Sequence, residues 1–408
     1  MSLCATLPAT PRRGRPRSLL TVMSGRLRCI GGAPALIVIA CAATLGLPGQ
    51  AQAATAAPPA LQQALDKLVS DGVPGAIALQ RHGGQQWHAA SGVADLKTKR
   101  PIRATDRFRI GSITKSFVST VVLQLVAERR LSLDDTVQQW LPGVVPNGDA
   151  ITVRALMNHT SGLYDYADVP FSVQVLRDPL RTWRPLQLVQ RAVAQPPLFS
   201  PGTRHSYSNT NYILLGKIIA AVNDVPGPLQ MASPAFEVYR RIIGPLRLWK
   251  TSFPLTDPDI HGPHAHGYVI DAPPDLGLPA ILDTTKNNPS WAWTAGAIIS
   301  TLGDVADFHR ALFTAQLLRP EQQRELQTTV PAGPGADYGL GVGKVQTPCG
   351  PAWGHNGGTL SHASISLTSP DGSRQAVMML TRESNTSTDQ IRADFVTAVF
   401  IAYCGQSE

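Results

Sequence analysis

The chain has 408 residues, 43% hydrophobic and 16% charged, which is ample for a buried core and too apolar for a disordered protein. Its net charge of +8 is concentrated in residues 1–53, which hold Arg12, Arg13, Arg15, Arg17, Arg26 and Arg28 and no acidic residue; setting these six aside leaves +2. A body so nearly neutral gives no electrostatic case for nucleic acid or a membrane surface as partner, and the scattered Gly and Pro exclude a collagen-like or linker array.

Residues 1–53 read as a leader. After the arginines comes the apolar stretch 33–43, and Ala51-Gln52-Ala53 is an A-x-A cleavage site, so the mature chain is expected to start at Ala54 and to be exported, periplasmic or extracellular. Two alternatives stay open. The apolar run 30–47 is near the lower limit for a retained membrane anchor, and Val38-Ile39-Ala40-Cys41 resembles a lipobox that would place a lipid on Cys41. Met23 is an alternative start, and the Arg12-Arg13 pair lacks the surroundings of a twin-arginine signal. No later run is apolar enough to span a bilayer; the one at 213–222 is interrupted by Lys217. Cys4, Cys29 and Cys41 fall in the leader, leaving Cys349 and Cys404. Two cysteines in an exported protein are expected to pair, with two buried free thiols as the alternative.

Past the leader, the spacing predicts a helix over 59–70 with Leu61, Leu65, Leu68 and Val69 on one face. Strand-like runs follow at 75–80 and 86–90, separated by the turn signal Gly83-Gly84. A helix is expected from Ser112 to Arg129, with Phe117, Val121, Leu125 and Val126 along one side. The middle, about 130–290, is rich in helical runs and loops. Residues 295–301, 364–368 and 375–381 read as strands, the last two flanking Pro370-Asp371-Gly372, and 389–403 as a closing helix. With strands at both ends and helices between, the expected fold class is α/β (α+β): an antiparallel sheet from both termini, flanked by helices, with an inserted, mainly helical lobe. There is no internal repeat. One catalytic domain, 54–408, is expected, its sheet lobe about 54–110 with 290–404 and its helical lobe about 111–289.

Three short signals carry chemistry. In Ser112-Ile113-Thr114-Lys115 the i, i+3 spacing places the amine beside the hydroxyl at a helix start, where free N–H groups suit a developing oxyanion. A serine needs a base to attack a carbonyl, and a lysine of lowered pKa can supply it. Tyr207-Ser208-Asn209 offers a phenol and an amide on one polar loop, suited to a proton relay and a substrate hydrogen-bond donor. The run from Trp353 to Thr359 contains His355, Asn356, Gly357 and Gly358, glycines that let a substrate approach the backbone. Singly, each is also an ordinary cap or turn. His261, His264 and His266 suggest a metal cluster, but the gap of three then two fits no common zinc pattern. His159 reads as structural, and His205 as either a neighbour that tunes the second motif or a surface residue. Asn385-Thr386-Ser387 is a glycosylation sequon in form only, silent behind a bacterial-type leader.

In this order and spacing, S-x-x-K, Y-x-N and H-x-G resemble the penicillin-recognising serine hydrolases, the β-lactamase and D,D-peptidase family. The likeness is greatest to exported, soluble D-alanyl-D-alanine carboxypeptidases, which also carry two cysteines near the C-terminus. The segments 92–95, 106–111, 158–166 and 291–300 agree, so the likeness covers about 60–404. The resemblance implies Ser112 as nucleophile, with Lys115 and Tyr207 sharing general-base and general-acid work. Asn209 would hold the substrate's peptide group. His355 would stand where relatives have lysine, stabilising negative charge and linking to Tyr207. The backbone N–H groups of Ser112 and Gly358 would form an oxyanion hole, Asn356 and Gly357 would border the substrate, and Trp291 would line the cleft. It implies a monomer acting on D-alanyl peptides or related acyl substrates and acylated by β-lactams, with no metal or organic cofactor. Rival activities on the same fold are a class C-like β-lactamase, an esterase, a D-aminopeptidase and a non-catalytic β-lactam or peptidoglycan sensor. Two departures weaken recognition of a free C-terminal carboxylate. Tyr338-Gly339-Leu340-Gly341 is followed by Val342 and Gly343 rather than arginine, with Lys344 one place on, and Gly358 stands where relatives often have a hydroxyl residue.

Overall fold

The computed structural model describes residues 57–272, 277–382 and 388–405. The leader with its Ala54 and Cys41 expectations, and the sequon at 385–387, lie outside them.

Strands β1 (Gly75–His82) and β2 (Gln85–Gly92) form a hairpin. Gly83 and Gly84 both take positive φ, 57° and 84°, which a tight two-residue hairpin loop requires and glycine supplies at least cost. Six later strands extend the sheet: β3 (Val330–Gly333), β4 (Ala336–Tyr338), β5 (Gly343–Thr347), β6 (Gly350–Gly358), β7 (Ala363–Thr368) and β8 (Arg374–Leu380). All pairings are antiparallel, in the order β2-β1-β8-β7-β6-β5-β4-β3. The β1–β8 pair joins sequence from near the two ends of the described chain, so the segment between them must leave the sheet and return to it.

The strand period of two decides which side chain meets which layer. Ile77 lies opposite Met379 and Leu79 opposite Val377, all facing the larger core; Ala76, Ala78 and Met378 face the other way. The helices that matter for the site are α1 (Pro59–Ser70), α2 (Thr114–Ala127), α3 (Asn209–Val222), α4 (Leu302–Phe313) and α5 (Asp389–Cys404). The small alanines let α1 and α5 lie close on their face of the sheet. Leu61, Leu65 and Leu68 of α1 are fully buried there, each contributing about 1.5–3 kcal/mol relative to exposure. α4 covers the opposite face through Val305, Phe308 and Leu312. Cys349, in the β5–β6 turn, and Cys404, at the end of α5, lie side by side, their Cα atoms 5.6 Å apart, within reach of a disulfide.

Two expectations are corrected. α2 is not one-sided: every residue from Thr114 to Leu123 is buried. Its hydroxyls find partners inside the protein, Ser116 Oγ donating to Gly341 O (2.9 Å), Thr120 Oγ1 to Ser116 O (2.8 Å), and Ser119 Oγ pairing with Tyr212 Oη (2.9 Å). Its polar positions therefore did not mark a solvent face. Residues 295–301 are not one strand. Trp293–Gly296 is a helical turn, and only Ile299–Ser300 pairs, with Phe108–Arg109. The whole run is buried, and a short buried helix and a buried strand look alike in hydrophobic periodicity.

Candidate active site

Ser112 sits in the 3-10 turn Gly111–Ile113 that runs into α2. Gly111 has φ 54°, and a Cβ there would lie 2.6 Å from Gly358 O and 2.9 Å from Gly358 N, so this turn and the end of β6 are in backbone contact. Thr359 N–H donates to His362 O. Antiparallel alternation then turns the N–H of Gly358 away from β7 and towards Ser112. The Ser112 N–H lies at a helix start, where intrahelical acceptors are missing. Ser112 and Gly358 both line the same cleft.

Lys115 is fully buried, with its Nζ 2.9 Å from Ser112 Oγ, 2.8 Å from Asn209 Oδ1 and 2.8 Å from Ala295 O. Burial lowers its pKa to about 7, although the negative charge of Asp165 pulls it upwards. A neutral amine has two N–H bonds and one lone pair. Asn209 Oδ1 and Ala295 O accept only, so both N–H bonds go to them and the lone pair is left for Ser112. The Tyr207 ring centroid lies 4.9 Å from Lys115 Nζ. Burial raises the Tyr207 phenol well above its ordinary range, and a hydrogen bond with Ser112 works in the opposite direction. Asn209 opens α3, where its backbone N and Nδ2 donate to Asp165 at 3.1 and 2.9 Å.

These four side chains converge; His355 does not join them. It is 5% exposed, and its ring centroid is 6.3 Å from that of Tyr207. Its Nδ1–H donates to Asn356 O, which leaves Nε2 to accept from Tyr338 Oη at 2.8 Å. Burial lowers the imidazole to about 3, with Lys115 adding to the effect. The expected link from His355 to Tyr207 is thus replaced by a link to Tyr338, and the ring is neutral rather than a cation. His159 is also structural in its contacts: Nδ1 accepts from Ser208 N (3.2 Å) and Asn211 Nδ2 (3.1 Å), which clamps the loop of the second motif. His205 lies against the rings of His159 and Tyr338.

A cleft of about 490 Å³ opens on Ser112, Tyr207, Asn209, Asn356, Gly357 and Gly358, with Trp291 and Tyr166 on one wall. The backbone around Trp291 is held by Tyr166 Oη, which donates to Trp291 O (2.6 Å), and its indole N–H donates to Asn287 Oδ1 (3.2 Å). The end formed by α5 adds Ile391, Arg392 and Phe395. Lys344 does not line the cleft; its Nζ lies 5.7 Å from the Trp353 ring centroid. His264 and His266 stack, their ring centroids 5.4 Å apart, but the three histidines bond to different partners, His261 to Asp257, His264 to Gly262 O and His266 to Asp283. Among the described residues, no group of three or more His, Cys, Asp or Glu is placed to hold a metal ion, and no helix is long and apolar enough to cross a membrane.

The family model described as Beta-lactamase matches residues 60–399. The chain belongs to the beta-lactamase family. Its fold is that of the family's β-lactamases and D-amino acid amidases, and it is a serine hydrolase. A D-stereospecific amidohydrolase from Streptomyces sp. is 38% identical, with a TM-score of 0.75 over 85% of this chain and 99% of its own. A D-amino acid amidase from Ochrobactrum anthropi SV3, solved with L-phenylalanine amide, is 26% identical, with a TM-score of 0.71 over 84% and 97%. Penicillin-binding protein 4* of Bacillus subtilis (strain 168) is 24% identical over 334 residues, 78% of this chain and 70% of its own. The chain spans about a third of the length of several other curated relatives it matches. Two site neighbours escaped the sequence reading, Asp165 and Tyr338. Both stand in segments recognised as family-like, but their partners Asn209 and His355 lie 44 and 17 residues away.

Proposed function

We propose that this beta-lactamase-family enzyme hydrolyses amide bonds of D-configured acyl donors through an acyl-enzyme on Ser112, without requiring a free C-terminal carboxylate. D-alanyl-D-alanine peptides are one such donor class, and β-lactams acylate the same serine. Lys115 takes the Ser112 proton as Oγ bonds to the carbonyl carbon. The oxyanion faces the N–H groups of Ser112 and Gly358. Tyr207 gives its phenol proton to the leaving nitrogen as the C–N bond breaks and regains one from Lys115, and water then attacks the ester by the reverse proton path. The observation that carries this reading is the Lys115 environment, whose two carbonyl acceptors leave the amine lone pair to Ser112. Preference for D-configuration is supported by the Streptomyces amidohydrolase and the Ochrobactrum amidase.

Indifference to the carboxylate is supported by the charges around the cleft. Lys344 lies at Trp353, His355 is neutral, and Arg392, at the α5 end of the cleft, bonds to Asp389. A charge-assisted contact is worth about 1.5–3 kcal/mol, roughly ten- to hundred-fold in kcat/KM. A peptide ending in D-Ala-D-Ala should be cleaved with kcat/KM within about threefold whether it is a free acid or an amide. D-phenylalanine amide should exceed L-phenylalanine amide by about a hundredfold. A strong preference for the free acid that disappears in Lys344→Ala or Arg392→Ala would overturn the reading.

The same proposal covers export as a monomer: a leader ending at Ala53, then one domain, 54–408, of two lobes with the Cys349–Cys404 bond formed. The bond would close a loop of 55 residues, stabilising by about 4 kcal/mol on chain-entropy grounds. Intact mass of the exported protein without reductant should equal the chain from Ala54 less two hydrogens. A lipid-bearing species beginning at Cys41, or two alkylatable thiols, would contradict it.

A further inference from the structure

We propose that Asp165 is a positioning residue of this site: its carboxylate holds the Asn209 amide so that Oδ1 faces Lys115, and thereby aims the lone pair of neutral Lys115 at Ser112. The inference rests on the reading of Ser112 and Lys115 given above.

Asp165 accepts three hydrogen bonds, from Ala167 N (3.0 Å), Asn209 N (3.1 Å) and Asn209 Nδ2 (2.9 Å). Three donors and no acceptor mark it as the carboxylate. A carboxylate can only accept, so the Asn209 amide must turn its NH2 towards Asp165 and its oxygen towards Lys115 Nζ, 2.8 Å away. Nothing intrinsic to an asparagine side chain favours this orientation over its reverse. In the reverse orientation an N–H of Asn209 would point at Nζ, occupy the amine lone pair and leave Ser112 without a base. Asp165 is absent from the cleft lining, so it acts through Asn209 rather than on substrate.

Its placement is itself built. Thr210 Oγ1 donates to Tyr164 O (2.7 Å), Ser208 Oγ to the same oxygen (3.2 Å), and Tyr166 N to Thr210 Oγ1 (3.2 Å). These bonds tie the loop on both sides of Asp165 to the start of α3, in register with Asn209. The groups facing the Asp165–Lys115 pair are Tyr166 from the same loop, Tyr207 and Tyr212 from the second motif and α3, His159, and His355 from β6. Burial keeps both imidazoles and the phenols uncharged; it also raises Asp165, opposed there by the N–H bonds of Ala167 and Asn209 and by Lys115, so Asp165 is the negative group that acts on Lys115.

The test is a polarity swap. Asp165→Asn sets an NH2 against the NH2 of Asn209, which is relieved by turning the Asn209 amide over. Its kcat for D-phenylalanine amide should fall about a hundredfold with KM within about threefold. The acidic limb of kcat/KM should move to lower pH, because the charge that raises Lys115 is gone. The double variant Asp165→Asn/Asn209→Asp restores acceptor against donor and again presents an oxygen to Lys115. It should regain at least tenfold in kcat with a raised KM, since the amide N–H that faces substrate is lost. Its acidic limb should lie above that of the native enzyme, the carboxylate now touching the lysine. A role confined to folding would not be repaired by the swap. A single variant within threefold of native kcat, or a double variant that is unfolded or no faster than the single, overturns the proposal. Amide proton shifts of Asn209 report the carboxylate bond independently. Their persistence alongside activity in Ser112→Ala would show that the catalytic reading had failed and the Asn209 orientation had not.

Discussion

Replacing Lys115 with alanine is expected to slow acylation of Ser112 by about 10³-fold, the middle of the range for losing a positioned general base. Ser112→Ala should abolish acylation altogether. The expectation rests on how little else near Ser112 can take its proton. The Tyr207 phenol is pushed up by burial and holds its proton, while the His355 ring is turned to Tyr338. The pH dependence follows with a definite sign. The base is the neutral amine, and burial lowers Lys115 to about 7. Acylation should therefore be flat above about pH 7 and fall tenfold per unit below it, with no such limb in Lys115→Ala. Stopped-flow acylation by a chromogenic β-lactam across pH 5–9 measures both. An unchanged rate in Lys115→Ala, or a profile rising towards acid, would remove lysine from the role of base.

Gly357→Ala should cost nearly as much by another route. A Cβ at Gly357 would stand 2.0 Å from Ile110 O and 2.6 Å from Ser364 Oγ. The first is backbone of the segment leading into Ser112, so it cannot swing aside; β6 must retreat from the Ser112 turn. The Gly358 N–H then moves off the position of the oxyanion, a loss of about 10²–10³-fold in kcat for one misplaced donor. Overpacking adds about 1–3 kcal/mol of destabilisation. Single-turnover rates and urea unfolding separate the two effects. Activity within threefold of native would mean that the hole does not depend on this contact.

Local chemistry made much of this molecule legible. Gly83-Gly84 announces a hairpin because few other residues tolerate positive φ twice in succession, and the 59–70 leucines declare their helix face by spacing alone. Ser112 and Lys115 are one helical turn apart, so their contact follows from the sequence directly. What stayed hidden depends on groups brought together from a distance. The hydroxyls of α2 look like a solvent face until Gly341 O and Tyr212 arrive to bond them. His355 has a histidine's chemistry on paper, and Tyr338 with the Asn356 carbonyl decides that it is a neutral acceptor. Asp165 is one acidic residue among many until α3 begins beside it. Helix and strand look alike at 295–301 because burial on all sides erases the pattern that separates them.

The central claim, that Ser112 is the acylated nucleophile, is tested most directly by incubating the protein with penicillin, quenching in acid within seconds and mapping the adduct after trypsin. The account predicts one modified peptide, residues 110–115, carrying the penicilloyl group on Ser112, and none from Ser112→Ala. An adduct on any other peptide, or undiminished hydrolysis of D-phenylalanine amide by Ser112→Ala, would contradict it.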